Sequence, residues 1–201
     1  MAKLKAPLMS LGAAGQLGKA LVFFGWKGLD VVREYVIPAN PKTSGQTTQR
    51  GYLAQAVESI HGAQAWAAHL LDAVDTAAYA LLGSTYATPR TWFNQAVKIL
   101  VDQLVAGKHP ILYSDGATTP GADQLAVTVT QVSAYATAGN FRYGTSKTAL
   151  INSIAGTLAA QTWSKTITGL TTGVKYYWQF RPTAPAASIG GNSGIYYGVP
   201  T

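Results

Sequence analysis

The spacing of apolar and polar positions changes twice along the chain and divides it into three regions. Residues 17–26 and 30–37 are rich in strand-forming residues and flank the turn segment Lys27–Leu29, which predicts a β-hairpin. Two strands alone are marginally stable in water, and this region has few large apolar residues for a core of its own. We therefore expect residues 1–44 to form an extended arm that packs on another surface.

The second region, residues 45–108, has the period of amphipathic helices. Apolar residues recur at intervals of three or four at Leu53, Val57, Ile60, Trp66, Leu70 and Val74. A later apolar stripe runs from Trp92 and Phe93 to Leu100 and Leu104. Three or four helices that pack through Trp66, Trp92, Phe93 and Leu100 are the expected result.

The ends of these helices are predicted from capping residues. Thr43 or Ser44 is suited to cap the first helix, and Thr88, placed before Pro89, is suited to cap a later one. Gly62 and Gly83 are interpreted as interruptions or ends, and Gly107 with Pro110 closes the last helix.

The third region, residues 109–201, is rich in Thr, Val, Tyr and Gly, with turn residues at short intervals. It predicts strands over residues 125–134, 140–146, 162–170, 173–183 and 193–199. In the fourth of these, Tyr176, Trp178 and Phe180 alternate with polar positions. Short strands with regular turns indicate a β-sandwich.

Two segments of this region carry a resemblance. Residues 141–146, Phe-Arg-Tyr-Gly-Thr-Ser, resemble the third strand of a fibronectin type III domain, and residues 166–176 resemble the corner between its fifth and sixth strands. The resemblance implies that Leu170, Gly173 and Tyr176 form a tyrosine corner. Family members often carry Pro where this chain has Thr172. The fold class expected for the whole chain is α+β: an N-terminal arm or hairpin, a small helical segment and a fibronectin III-like or immunoglobulin-like sandwich.

A second resemblance covers the N-terminal half. The residues around Gly18, Trp26, Gly28, Arg33, residues 36–43 and residues 46–50 resemble a pattern in small virion-associated proteins of tailed phages and prophages, in which a Trp-containing helical segment follows the arm. The Ala-rich helical part is looser than that pattern. The resemblance implies a virion structural protein. The expected partner-binding residues of the arm are Phe23, Phe24, Trp26, Arg33, Tyr35, Asn40, Pro41 and Arg50.

Composition excludes several classes of protein. Charged residues make up 11% of the chain and hydrophobic residues 48%, which is unlike a disordered chain. Cys is absent, so the chain has no disulfide framework, thiol nucleophile or Cys-ligated metal. No apolar stretch approaches the ~20 residues of a membrane span, and no secretory signal is predicted.

Candidate catalytic residues are few. His61 and His69 would share a helix face, yet they and His109 lack the spacing of metal ligands, and we interpret all three as structural. Asp72 and Asp75 stand three apart on a predicted helix, where a solvated face or a local cap explains them better than paired-acid catalysis. We expect no cofactor, no metal and no enzymatic activity.

Two glycine patterns also fail as nucleotide sites. Residues 13–20 approach a phosphate-binding loop but have Ala13 where Gly is needed and Ala20 where a hydroxyl is needed. Gly12, Gly15 and Gly18 recur without the strand and helix of a dinucleotide site. They indicate flexible or closely packed backbone.

The positive charge is concentrated near the N-terminus. The whole chain has a net charge of +7, and residues 1–50 hold seven basic and two acidic side chains. Basic residues interleaved with Phe23, Phe24 and Trp26 would suit nucleic acid, but they are spread out rather than clustered. We favour an acidic protein surface as the partner.

These observations lead to one functional prediction with alternatives. The chain is expected to be a virion protein, assembled in the host cytoplasm, that decorates or cements a capsid by docking its arm on the major capsid protein or another virion protein. Self-association is possible, and no membrane is involved. The alternatives are a tail or neck protein, a DNA-binding virion protein, and a sugar-binding module that uses Tyr177, Tyr196 and Tyr197.

Overall fold

The chain forms two compact units, Met1–Thr43 and Ser44–Thr201. The computed structural model describes residues 2–3, 15–37, 40 and 42–201. Within these ranges the protein is α+β, with three helices and three antiparallel sheets, which confirms the predicted class at this level.

The first unit contains a four-stranded antiparallel sheet. Its strands are Ala2–Lys3 (β1), Gly15–Leu17 (β2), Leu21–Trp26 (β3) and Leu29–Glu34 (β4), in the order β1-β4-β3-β2. The expected hairpin is the central pair. Its two-residue turn places Lys27 and Gly28 at φ 50° and 76°, the left-handed region that such tight turns require. Two further strands thus join the pair that would be marginal alone.

Three helices begin the second unit: Ser44–Ala65 (α1), Ala73–Gly83 (α2) and Trp92–Val105 (α3). The prediction that Thr88 caps a helix is wrong. Thr91 caps α3, because its side-chain oxygen accepts a hydrogen bond from the Asn94 amide at 3.3 Å. Gly62 lies inside α1 and is not an interruption, whereas Gly83 is the last residue of α2.

The helices pack through smaller residues than the periodicity predicts. Their buried cluster is made of Ala56, Ile60, Ala63, Leu71, Tyr79, Ala96, Leu100 and Leu112. Trp92 and Phe93 are half-buried against this cluster, as expected. Leu53, Leu70 and Val74 were predicted core positions, but each is about half exposed (51%, 46% and 52%). The face of α1 that packs is the alanine-rich one, which lets the helices approach closely.

The remaining residues form two four-stranded sheets. The strands are Tyr113–Gly121 (β5), Gln124–Gln131 (β6), Ala138–Gly144 (β7), Asn152–Ala155 (β8), Thr157–Ala159 (β9), Thr162–Thr168 (β10), Tyr176–Ala184 (β11) and Tyr196–Gly198 (β12). Their orders are β5-β6-β10-β9 and β12-β11-β7-β8. All five predicted strands are present with shifted ends, while β5, β8 and β9 were not predicted.

Large aromatic side chains fill the space between the two sheets. The ring of Phe180 lies 4.6 Å from that of Trp163 on the opposite sheet and 5.2 Å from that of Phe141 beside it. Trp178 and Phe180 are completely buried, as their alternation predicts. Gln179, on the other side of the strand, is also buried. The outer side of this sheet is therefore covered as well, in part by the helices.

The helical layer and the sheets approach closely at one backbone contact. The amide of Ile195 donates to the carbonyl of Ala78 at 3.0 Å, and a Cβ added to the preceding Gly194 would lie 2.7 Å from the Ala78 carbonyl carbon. The helices and the two sheets belong to one compact unit, Ser44–Thr201.

Replacing Gly194 by alanine should lower the free energy of unfolding by about 1–3 kcal/mol, because the added methyl would push α2 away from the sheet. Urea denaturation followed by tryptophan fluorescence measures this. Gly62→Ala is the matched control: Gly62 is exposed in α1 with no atom near its Cβ position, so alanine there should stabilise by about 0.5–1 kcal/mol. Equal effects of the two substitutions would contradict the close contact.

Candidate functional site

One face of the N-terminal sheet carries three of the eight predicted partner-binding residues, Phe24, Trp26 and Arg33. Pairing of Phe24 with Val31 and of Trp26 with Leu29 places these four side chains on the same side. Val31 is buried, whereas Trp26 is 53% and Leu29 is 44% exposed. We call Phe24, Trp26, Leu29 and Arg33 the arm face.

Cationic groups lie against the aromatic rings of the arm face. The Arg33 guanidinium lies 5.4 Å from the centre of the Phe24 ring, and Lys27 Nζ lies 6.0 Å from that of Trp26. Cations at this distance are attracted by the electron-rich faces of aromatic rings. The arm face thus combines an exposed apolar area with positive charge.

The other predicted arm residues are placed elsewhere. Phe23 is buried, at 8% exposure, on the opposite side of the sheet, and Tyr35 follows β4 and is half-buried. Asn40 is exposed. Pro41 lies outside the described residues, as do Gly12 and Ala13 of the rejected glycine patterns. Arg50 belongs to α1 of the second unit and is not part of the sheet.

Asp75 is the most heavily bonded carboxylate in the described part of the chain. Its Oδ1 accepts hydrogen bonds from the Gly116 amide at 3.0 Å and from the Tyr196 hydroxyl at 2.7 Å. Its Oδ2 accepts from the amides of Asp115 at 2.8 Å and Asp72 at 3.2 Å. These contacts join α2 to β5 and β12, and we call Asp75 with its donors the Asp75 junction.

The two aspartates differ from each other in environment. Asp72 is exposed and caps α2, accepting from the Val74 and Asp75 amides, so the local-cap interpretation is confirmed. Asp75 is completely buried, so a solvated face is wrong for it. Its surroundings explain why: only a site that supplies several donors can hold a buried carboxylate.

Burial governs the ionisation of this junction. It raises the pKa of Asp75, and the four hydrogen bonds oppose that rise. Burial, reinforced by the nearby carboxylate, also raises the pKa of Tyr196 well above its ordinary range. Because every carboxylate oxygen is already bonded and shielded from solvent, the junction joins elements and offers no reactive group to a substrate.

The histidines are separated. His61 lies exposed on α1, and His69 follows the helix, so the prediction of a shared helix face is wrong. His69 Nδ1 lies 2.8 Å from Asp115 Oδ2. His109 stacks on Tyr135 with ring centres 3.9 Å apart. Within the described ranges, no three His, Asp or Glu side chains are grouped as a metal site would need.

The corner before β11 has the hydrogen bond expected of a tyrosine corner. The Tyr176 hydroxyl accepts from the Thr171 amide at 3.2 Å, and Leu170 is buried. Gly173 has φ 77°, a conformation that glycine adopts without strain. These contacts stabilise the loop before β11.

The three tyrosines of the sugar-binding alternative do not form one surface. Tyr196 is buried in the Asp75 junction, at 3% exposure, whereas Tyr197 is 55% exposed. Tyr177 and Tyr197 are cross-strand neighbours, and Lys175 Nζ lies 3.6 Å from the centre of the Tyr197 ring. A cation of the chain itself thus occupies this aromatic pair.

None of the helices in the described ranges has the length and hydropathy that crossing a membrane requires. Comparison with protein-family models, with curated proteins and with solved structures finds no match to this chain.

Proposed function

We propose that this chain is a non-enzymatic structural protein of a phage particle that docks on a neighbouring virion protein through its arm face. The observation that carries the proposal is the arm face, in which exposed Trp26, Leu29 and Arg33 lie beside half-buried Phe24, on a unit distinct from the rest of the chain. The resemblance of the N-terminal half to small virion-associated proteins supports the assignment to a phage particle.

The chemistry of the arm face suits an acidic protein surface. Tryptophan and arginine are enriched among the residues that dominate protein–protein binding energy. Burial of Trp26 and Leu29 would contribute roughly 1.5–3 kcal/mol each. Arg33 and Lys27, within a region of net positive charge, would select an acidic partner and speed the encounter. Many copies bound to one particle would add avidity.

The second unit serves as the displayed part in this proposal, with residues 109–201 as a fibronectin III-like sandwich. The strand orders β5-β6-β10-β9 and β12-β11-β7-β8 support this, because they follow the two-sheet arrangement of immunoglobulin-like domains, with antiparallel pairing throughout. The hydrogen bond of Tyr176 supports it independently. Such sandwiches carry many functions, so the docking role is assigned from the arm face alone.

The test is the incorporation of full-length variants into particles produced by the phage genome that encodes the chain. Trp26→Ala should lower the number of copies per purified particle about tenfold or more, as measured by quantitative mass spectrometry, because a central aromatic of the docking surface is removed. Tyr197→Ala is the matched control. It removes an exposed aromatic from the second unit and should leave the copy number unchanged.

Other outcomes distinguish the alternatives. A copy number near that of the shell protein supports capsid decoration, whereas a handful of copies supports a tail or neck position. Absence of the wild-type chain from particles overturns the virion assignment. If the full chain binds DNA in a salt-sensitive gel shift and Trp26→Ala removes that binding, the partner is nucleic acid and the protein-docking proposal is wrong.

A further inference from the structure

A polar cleft of about 400 Å³ lies between the helices and the outer side of the sheet β12-β11-β7-β8. Tyr86, Gln95 and Lys98 line its helical side, and Gln179 and Arg181 of β11 line its sheet side. The volume falls in the range of small-molecule sites. The cleft belongs entirely to the second unit and is independent of the arm face.

Positive charge dominates this cleft. Lys98, Lys147 and Arg181 line it, against the single carboxylate of Asp102, which is paired with Lys98. Lys147 Nζ donates to the Ser84 hydroxyl at 2.9 Å. Within the described residues, no carboxylate lies within 4.0 Å of Lys147 or Arg181. The cleft therefore has an excess of two cations.

Arg181 is held in position by a buried amide. Gln179 Nε2 donates to the Ser193 carbonyl at 2.8 Å, and this fixes Gln179 Oε1 to accept from Arg181 Nε at 2.9 Å. The bond uses Nε and leaves the terminal nitrogens of the guanidinium for a ligand. Partial burial and the positive charge of Arg142 lower the pKa of Arg181.

The rest of the lining contains polar and apolar groups. Gln95 is buried and its Oε1 accepts from Arg90 Nη1 at 3.3 Å, while the Arg90 guanidinium also lies 4.5 Å from the Tyr86 ring centre, so Arg90 already engages both of these groups. Asn192 adds an amide that can donate and accept. Apolar side chains complete the lining at Leu82, Ile99, Leu150 and Ile195. A simple anion would need donors only, so the amide of Asn192 and the apolar lining favour an anion that also has hydroxyls and a ring.

We propose that this cleft binds an acidic saccharide, with Arg181 and Lys147 on the carboxylate and the amide of Asn192 on a ring hydroxyl. Guanidinium and ammonium groups form the stronger, charge-assisted hydrogen bonds with a carboxylate. The apolar residues of the lining would contact the non-polar face of the sugar ring. This site goes beyond the docking role and does not depend on it.

The test titrates the full chain with D-glucuronate, D-glucose and inorganic phosphate and follows amide resonances by NMR. Saturable shifts at Tyr86, Gln95 and Asn192 with glucuronate, at least about tenfold weaker with either comparator, support the proposal. No saturable shift with glucuronate overturns it. Equal binding of glucose also overturns it, because the cleft would then recognise the ring without the charge. Equal binding of phosphate overturns it as well, because the cleft would then recognise the charge without the ring.

Variants locate the binding charge. Arg181→Gln and Lys147→Gln should each weaken glucuronate binding about tenfold. Lys147→Gln changes an edge residue away from the core, so it keeps the test decisive if Arg181→Gln perturbs the fold. Lys165→Gln, in β10 of the opposite sheet, removes the same charge and should leave the affinity unchanged. An equal loss in this control overturns the site by indicating non-specific attraction.

Discussion

Replacing Asp75 by asparagine should lower the free energy of unfolding by about 2–4 kcal/mol, the cost of leaving buried polar groups unsatisfied. Each carboxylate oxygen of Asp75 accepts two hydrogen bonds, and an amide can offer only one oxygen. The NH₂ group of the new asparagine would face either the backbone amides of Asp72 and Asp115 or the donors of Gly116 and Tyr196. Urea denaturation followed by fluorescence measures the loss.

The control for this prediction is Asp102→Asn. Asp102 is exposed and pairs with Lys98 one helical turn away, so its loss should cost no more than about 0.5 kcal/mol. If Asp75→Asn unfolds at the same urea concentration as the wild type, the Asp75 junction contributes nothing and the account of it is wrong.

The same carboxylate predicts a pH dependence. Burial raises the pKa of Asp75 in the folded chain above the unfolded value of about 3.9. At a pH between these two pKa values, the folded state binds more protons than the unfolded state. The contribution of this group to stability is therefore complete below the unfolded pKa and is lost as the pH rises through the folded pKa. Asp75→Asn should lack this component when both proteins are denatured across the same pH series.

Removing residues 1–43 should abolish incorporation into particles while leaving the second unit folded. Every residue of the two buried clusters that stabilise the second unit lies between Ala56 and Tyr196. The free energy of unfolding of residues 44–201 should therefore change by no more than about 0.5 kcal/mol, as for a change outside the core. Circular dichroism during urea denaturation and mass spectrometry of particles measure the two effects.

Two results would contradict this separation. If residues 44–201 alone fail to unfold cooperatively, the first unit contributes to their core. If the shortened chain still enters particles in full number, docking does not use the arm face. Trp26→Ala in the full chain serves as the matched variant, since it should lower incorporation without changing the length of the protein.

The elements that were predicted correctly have strong local signals. The turn at Lys27 and Gly28 requires residues that tolerate positive φ, and the alternation of β11 follows from a strand with one face in the core. The missed strand β5 has the composition of a turn, with Asp115, Gly116 and Pro120. It forms because β6 pairs along it, and its register shifts between Ser114 and Ala117 beside Asp75.

The functional features that were missed depend on contacts between distant residues. Asp75 and Asp72 have the spacing of a helix cap, and nothing nearby in the sequence indicates that Tyr196, 121 positions later, donates to Asp75. The cleft likewise combines residues from Leu82 to Ile195, without any motif. By contrast, the arm face was partly predictable, because Phe24, Trp26 and Arg33 come from one hairpin.

The hydrogen bond between Asp75 and Tyr196 joins an early and a late part of the chain during synthesis. A ribosome makes the helices first, and the Tyr196 hydroxyl that donates to the Asp75 carboxylate is added only with β12. A nascent chain that stops before residue 193 would present α2 with its buried acid lacking a donor, and with Ala78 lacking its Gly194 neighbour. We therefore expect α2 to complete its contacts with the sheets only after β12 has been synthesised.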